Sequence, residues 1–315
     1  MNLFAPTTNP KILVRLSLMM FLQFFIWGSW YVTLSNYLVQ IGFDGILIGR
    51  VYLMNNIGAI IAPFIIGMIA DRFFSSQKVM GVLHLAGAAF MYFSSELTTA
   101  GPLILFMLLY NLSYMPTLAL VNAISFQQID RPDLDFPKIR VWGSLGWIAS
   151  GLTILAIQTW WMPDIEASNA PMKIASILSL ILGLYSFTLP NTPPKMKGMK
   201  VSIGEVLGLK ALRLFKDRNF SLFALASFLI SIPLAFYYVF TNPFFNESGM
   251  TGVAGKMSMG QMSEVFFMIL IPFFFKRLGV KKMLLFGMLA WVIRYVLFAM
   301  GDNDTMVWMF YGGIL

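Results

Sequence analysis

Cysteine is absent from this chain, and histidine occurs once, at His84. The first absence excludes disulfides, thiolate metal sites and cysteine nucleophiles. The second excludes a multi-histidine metal centre. Charge is scarce too: 11% of residues are Asp, Glu, Lys or Arg, against about 25% in an ordinary soluble domain. Apolar residues take the place of both. Of the 315 residues, 58% are hydrophobic and 16% are aromatic, and the mean hydropathy is +0.75. No soluble core of this size buries that much apolar surface, so lipid is the solvent for most of the chain. In lipid every backbone polar group must be satisfied within the protein, which leaves helices or closed barrels. The apolar runs last about 20 residues and show no period-two alternation, so they read as helices rather than barrel strands. The fold class is therefore an all-α integral membrane protein.

Nine full spans are expected, at 12–38, 46–70, 79–97, 102–126, 139–161, 172–190, 219–245, 257–275 and 283–301, and a tenth begins near Thr305. Lys11 and Arg15 precede the first span, but no small-residue cleavage site follows it, so it is not a removable leader. With the N-terminus in the cytoplasm, three of the 22 Lys and Arg residues fall outside (Arg50, Lys173, Lys256) and two within spans (Arg140, Arg294). The other 17 are cytoplasmic, a strong positive-inside asymmetry. A net charge of +8 thus reflects topology, and no nucleic-acid partner is called for. The longest loop follows the sixth span and is rich in Pro and Lys, and 205–216 in it reads as a short amphipathic helix. The expected organisation is a six-helix half at 1–190, a basic cytoplasmic linker at 191–218 and an incomplete second half at 219–315. A weak internal repeat agrees: Gly67…Asp71-Arg72…Lys78 after span two is echoed by Lys276-Arg277-Leu278-Gly279 with Lys281 and Lys282 after span eight.

The segment Gly67…Asp71-Arg72…Lys78 resembles the loop-2/3 signature of the major facilitator superfamily. The resemblance implies that Asp71 and Arg72 form a conformational latch. A narrower resemblance covers nearly the whole chain. The strings Phe21-Leu22-Gln23-Phe24-Phe25-Ile26-Trp27-Gly28, Tyr114-Met115-Pro116-Thr117, Asp135-Phe136-Pro137-Lys138-Ile139-Arg140, Gln261-Met262-Ser263-Glu264 and Ala290-Trp291-Val292-Ile293-Arg294 are similar to the nucleoside:proton symporter family. That family implies two six-helix halves and alternating access, with import of nucleosides by proton symport across the bacterial inner membrane. It implies no cofactor beyond the proton gradient, a monomer, and partners limited to nucleoside, protons and lipid. Members run to twelve spans, so a chain ending at Leu315 reads as truncated near its C-terminus.

Glu264 is the acidic residue expected nearest the bilayer midplane, where a carboxylate is costly and faces a cavity or a partner. It reads as the proton-coupling group, with a static hydrogen-bonding role as the alternative. Arg140, near the start of span five, is a fixed multi-donor cation. By position alone it is equally a snorkelling helix-end residue; the resemblance assigns it to the substrate cavity and to coupling with Glu264. Ser144 and Trp147 lie one and two turns beyond Arg140 on the same face, and Gln261 lies one turn before Glu264. The resemblance adds these three, and Tyr311, to the substrate site. Ser144 stands where the family has threonine, and Trp147 where it has another aromatic residue. Span seven departs further, with Ala235 and Tyr238 in place of amide side chains. Gln23, Trp27 and Trp30 lie on span one, a helix that the resemblance implies lines the cavity; Trp27 and Trp30, three apart, are either one stacking face or lipid-facing or interfacial aromatics. His84 reads as a packing residue, and Arg294 as paired within the bundle and outside the cavity. No Ser–His–Asp set or phosphate loop is present, so an enzyme is not expected. The alternatives are a carrier for another small polar solute, such as a sugar or a purine derivative, and a non-transporting remnant.

Overall fold

Tyr52 shows how side chains shape the backbone in this protein. In the computed structural model, which describes residues 8–194 and 209–315, the first apolar run is not one helix. It forms α1 (Pro10–Trp30) and α2 (Leu34–Gln40). The break falls where the Ser35 N–H would bond the Tyr31 carbonyl four residues back. Instead the Tyr52 hydroxyl stands in that gap, donating to Tyr31 O at 2.6 Å and accepting from Ser35 N at 3.2 Å. A side chain inserted in the ladder bends a helix without leaving a polar group bare.

The remaining elements follow as α3 (Gly45–Arg72), α4 (Ser76–Glu96), α5 (Ala100–Gln128), α6 (Pro132–Trp160), a 3₁₀ turn at Ile165–Ala167, and α7 (Ala170–Ser186). After a 3₁₀ segment at Leu209–Lys216 come α8 (Arg218–Glu247), α9 (Val253–Met300) and α10 (Val307–Ile314). No strand occurs among the described residues. α9 comprises two helices that meet at a kink at Gly279, whose φ of 67° suits only glycine comfortably. The break lies between the expected eighth and ninth spans. Six helical segments among the described residues are long and apolar enough to cross a membrane. Of the linker expected at 191–218, residues 195–208 lie outside the described residues, as does the first part of its amphipathic helix.

The helices up to α7 share one apolar core running from Leu16 to Leu189, with Tyr110, Tyr114 and Met107 at its centre. A second, smaller core joins Tyr237, Phe245, Val253, Phe298 and Phe310, and Val32 from the first bundle enters it. Lipid tails are as apolar as leucine, so close backbone approach and internal hydrogen bonds do much of the holding. Gly146 illustrates the first: a Cβ there would sit 2.2 Å from the Phe21 carbonyl oxygen, so α1 and α6 meet backbone to backbone. Gly28 and Gly143 lie on the same seam.

The second device is a buried polar network inside the first bundle. The two His84 ring nitrogens reach Ser179 Oγ at 3.0 Å and Gln23 Oε1 at 2.9 Å. Gln23 donates to Thr117 Oγ1 at 2.7 Å, and Tyr114 donates its hydroxyl proton to the Gln23 carbonyl. His84 is thus a hydrogen-bonded packing residue, as its sequence position suggests, and Gln23 is its partner rather than a cavity residue.

Candidate functional site

A cavity of about 380 Å³ lies where the two bundles meet, within the size range of small-molecule sites. Each wall comes from a different helix. α1 supplies Phe24 and Trp27, the break after it supplies Tyr31, and α3 supplies Asn55 and Asn56. α6 supplies Arg140, Ser144 and Trp147, α8 supplies Ser231, Leu234, Ala235 and Tyr238, and α9 supplies Gln261 and Glu264. The face Arg140–Ser144–Trp147 and the pair Gln261–Glu264, expected from helical spacing, therefore converge on one space. They do so because the glycine seam of α6 turns toward α1, leaving the adjoining shoulder of that helix to the cavity.

The aromatic side is a continuous edge-to-face cluster. Trp147 lies 5.5 Å from Trp27, 6.5 Å from Tyr31 and 5.8 Å from Tyr238, measured between ring centroids. Tyr31 and Tyr238 close the ring at 6.0 Å. Such walls offer faces to a flat group. The polar side holds one fixed cation and one carboxylate. The Arg140 guanidinium lies 4.5 Å over the Phe24 ring, and its Nη1 is buried with no hydrogen-bond partner. Glu264 is exposed to the cavity. No ion pair within 4.0 Å joins the two; among the described residues the ion pairs are Lys138–Asp135 and Lys173–Glu96.

Gly143 keeps Arg140 where it is. A Cβ at 143 would stand 2.6 Å from Arg140 Nη1 and 2.8 Å from the Phe24 ring. Gly143→Ala is expected to displace the guanidinium and to raise the substrate KM severalfold while the protein still reaches the membrane. Uptake kinetics normalised to surface expression check this.

Two placements differ from the sequence expectations. Trp27 and Trp30 do not share one face: Trp27 lines the cavity, whereas Trp30 is buried and donates Nε1–H to the Tyr110 hydroxyl at 3.1 Å. Tyr311 does not line the cavity. Its ring instead lies 5.8 Å from the Lys256 ammonium, because α10 presents Leu315, not Tyr311, toward Glu264. Arg294 pairs within its bundle and stays off this cavity's lining, as expected, but it is close by. It lines an adjoining space of about 570 Å³ that Gln261 and Glu264 also border. It donates to the Gly313 carbonyl at 2.6 Å, and its guanidinium lies over both Tyr237 and Trp291. Asn55, Asn56, Tyr31 and Phe24 escaped sequence reading. The available signal was the Asn55-Asn56 pair, two amides in an otherwise apolar span.

The two bundles are also joined at one end. Glu166, in the turn between α6 and α7, is buried. It accepts from Asn242 Nδ2 at 2.9 Å and from the Ala254 backbone N–H at 3.0 Å. The start of α9 has no side-chain cap of its own, since its N-cap is Gly252. A carboxylate from the other bundle thus supplies the acceptor that a helix N-terminus needs. Nearby, Cβ atoms at Gly151 and Gly255 would collide with Ser258 and Leu155, so α6 and α9 cross closely here. Asp71 and Arg72 form the last turn of α3, near the opposite end.

The family model described as nucleoside H+ symporter matches residues 10–312. YegT of Escherichia coli K12 is 47% identical over 93% of this chain and 69% of its own length. The xanthosine permease of the same organism is 35% identical over 94% of this chain and 73% of its own. A crystal structure of the nucleoside transporter NupG, as a D323A mutant, superposes with a TM-score of 0.87. It is 32% identical, and the match covers 96% of this chain and 78% of that one.

Proposed function

Because the chain belongs to the nucleoside H+ symporter family, it is a multi-pass membrane transporter for nucleosides and protons rather than an enzyme, and we propose that the cavity between its two bundles is the site of that transport. The observation that carries the proposal is the convergence of Trp27, Trp147 and Tyr238 with Arg140, Gln261 and Glu264 on one space lined by both bundles. A nucleoside is uncharged, with a flat base and a hydroxyl-rich sugar. Aromatic edges and faces suit the base, and Arg140, Ser144 and Gln261 offer hydrogen bonds to the sugar.

Glu264 is the proton carrier in this scheme. A carboxylate and a guanidinium on one cavity attract each other when Glu264 is ionised and do so no longer when it is protonated. Proton binding therefore changes the force between α6 and α9, and through them the angle between the bundles. Glu166 and the Gly151–Ser258 crossing hold one end shut, while the Glu264 side stays open. The positive-inside asymmetry supports reading the shut end as periplasmic and the N-terminus as cytoplasmic, in the inner membrane. The latch role of Asp71 and Arg72, at the cytoplasmic end, belongs to the opposite closure. The Arg294 donors to α10 carbonyls tie the second bundle together beside Glu264.

The test is labelled-nucleoside uptake in cells lacking their own nucleoside carriers. Uncoupler-sensitive accumulation driven by this chain is the expected result. Absence of both uptake and nucleoside binding, with the protein in the membrane, would overturn it.

A further inference from the structure

Asn55 sits in the middle of α3, an otherwise lipid-compatible helix, and it is 6% exposed. A polar side chain at that depth is expected to find a partner within the bundle. Its Oδ1 has none. Two other unpartnered buried polar atoms, Trp27 Nε1 and Arg140 Nη1, belong to residues lining the same cavity. A buried acceptor and two buried donors left open around one space match a ligand that carries both kinds of group. The helix is held at this depth by close packing on α5: a Cβ at Gly58, one turn beyond Asn55, would lie 2.8 Å from the Asn111 backbone. Asn55 is therefore placed by a rigid helix contact, not by a loop. The wall that α8 adds to the cavity is Ser231, Leu234, Ala235 and Tyr238, with hydroxyls but no amide.

Resting on the nucleoside reading above, we propose that Asn55 is a specificity-determining residue that reads the hydrogen-bonding edge of the base. An amide carries an acceptor and two donors, and can turn either toward the ligand. It therefore accepts from the amino group of adenosine or cytidine and donates to the oxo group of inosine or uridine. With Asn55 in this role the site admits both kinds of base and rejects rings without a polar edge.

Asn55→Asp keeps the size and removes the donor. Binding of adenosine, inosine, cytidine and uridine to the purified chain in lipid nanodiscs, read by tryptophan fluorescence, separates the cases. The Asp variant is expected to shift the adenosine-to-inosine and cytidine-to-uridine affinity ratios about tenfold or more toward the amino bases. Asn55→Leu, which suits a spanning helix and guards against misfolding, is expected to weaken all four and to bring polar-edged bases level with a purine riboside that lacks the 6-substituent. Ratios unchanged in both folded variants, with normal binding by the parent chain, would overturn the role of Asn55 and leave the transport reading intact. A parent chain that binds none of the four would overturn both.

Discussion

Cells producing the Glu264→Gln protein are expected to equilibrate a labelled nucleoside across the membrane without concentrating it. Glutamine keeps the size of glutamate and one of its acceptor oxygens, puts an NH2 donor in place of the other, and takes up no proton near neutral pH. If Glu264 carries the coupling proton, its loss uncouples movement of solute from the gradient. Accumulation should fall to the level the parent shows with an uncoupler, while exchange of internal for external nucleoside persists. The substrate affinity should change only a fewfold, because Gln261, Ser144 and the aromatic cluster remain in the cavity. Full uncoupler-sensitive accumulation by Glu264→Gln would remove Glu264 from the coupling scheme. The partnership with Arg140 is open to a separate measurement. No ion pair within 4.0 Å joins the two in this conformation, so a closer contact made in another state adds to the non-additivity that their attraction across the cavity already gives. Arg140→Leu and Glu264→Gln, alone and together, should show coupling of about 0.5–3 kcal/mol in binding if the residues meet during the cycle. Strict additivity would separate their roles.

The second large effect is expected at Glu166. Removing its carboxylate leaves Asn242 and the Ala254 N–H buried without an acceptor. Each buried donor left without an acceptor costs about 1–3 kcal/mol. Here the bonds cross between bundles, so the cost falls on closure of that end. The absence of native cysteine makes the readout clean. A single cysteine replacing the buried Ser258 is shielded by the α6–α9 crossing. A membrane-impermeant maleimide added outside intact cells should label it about tenfold faster or more when Glu166→Leu is also present. Equal labelling would show that Glu166 does not hold this end.

The same group predicts a direction with pH. Burial pushes the Glu166 carboxyl above the ordinary carboxylate value of 4.5, against the opposing pull of Asn242, the Ala254 N–H, Asn246 and Lys256. Released to water, the carboxyl returns to the ordinary value. The closed form therefore binds the proton more tightly. Closure should strengthen as pH falls and weaken as pH rises through the window that begins near 4.5. Labelling at position 258 should follow that slope, and Glu166→Gln should flatten it.

Much of the site was legible because helical spacing survives folding. Arg140, Ser144 and Trp147 lie on one shoulder of α6, and Gln261 and Glu264 on one shoulder of α9, whatever the neighbours do. Rotation of one helix against another is a different matter. In a soluble protein the apolar stripe announces the inward face. In lipid the outward face is apolar as well, so the stripe carries little information. Trp27 and Trp30 were indistinguishable for that reason, although one reaches the cavity and the other is sealed against Tyr110. Tyr311 was misplaced, and the nearness of Arg294 to Glu264 missed, for the same reason. Their positions follow from how α10 and the second part of α9 pack, and no local pattern records it.

Composition and charge placement by themselves determined the solvent, the helical class and the distribution of basic residues, because hydration and backbone satisfaction act on each segment separately. Motif strings determined the family. Tertiary structure alone decided three further features. The Tyr52 hydroxyl opens the helix that carries Tyr31, Asn55 is brought to the cavity with an unpaired oxygen, and Glu166 caps a helix of the opposite bundle. Each depends on an atom from a segment far away in sequence filling one particular hydrogen-bonding gap, or leaving it empty. Such a match is a property of three-dimensional placement, which residue type and spacing do not encode.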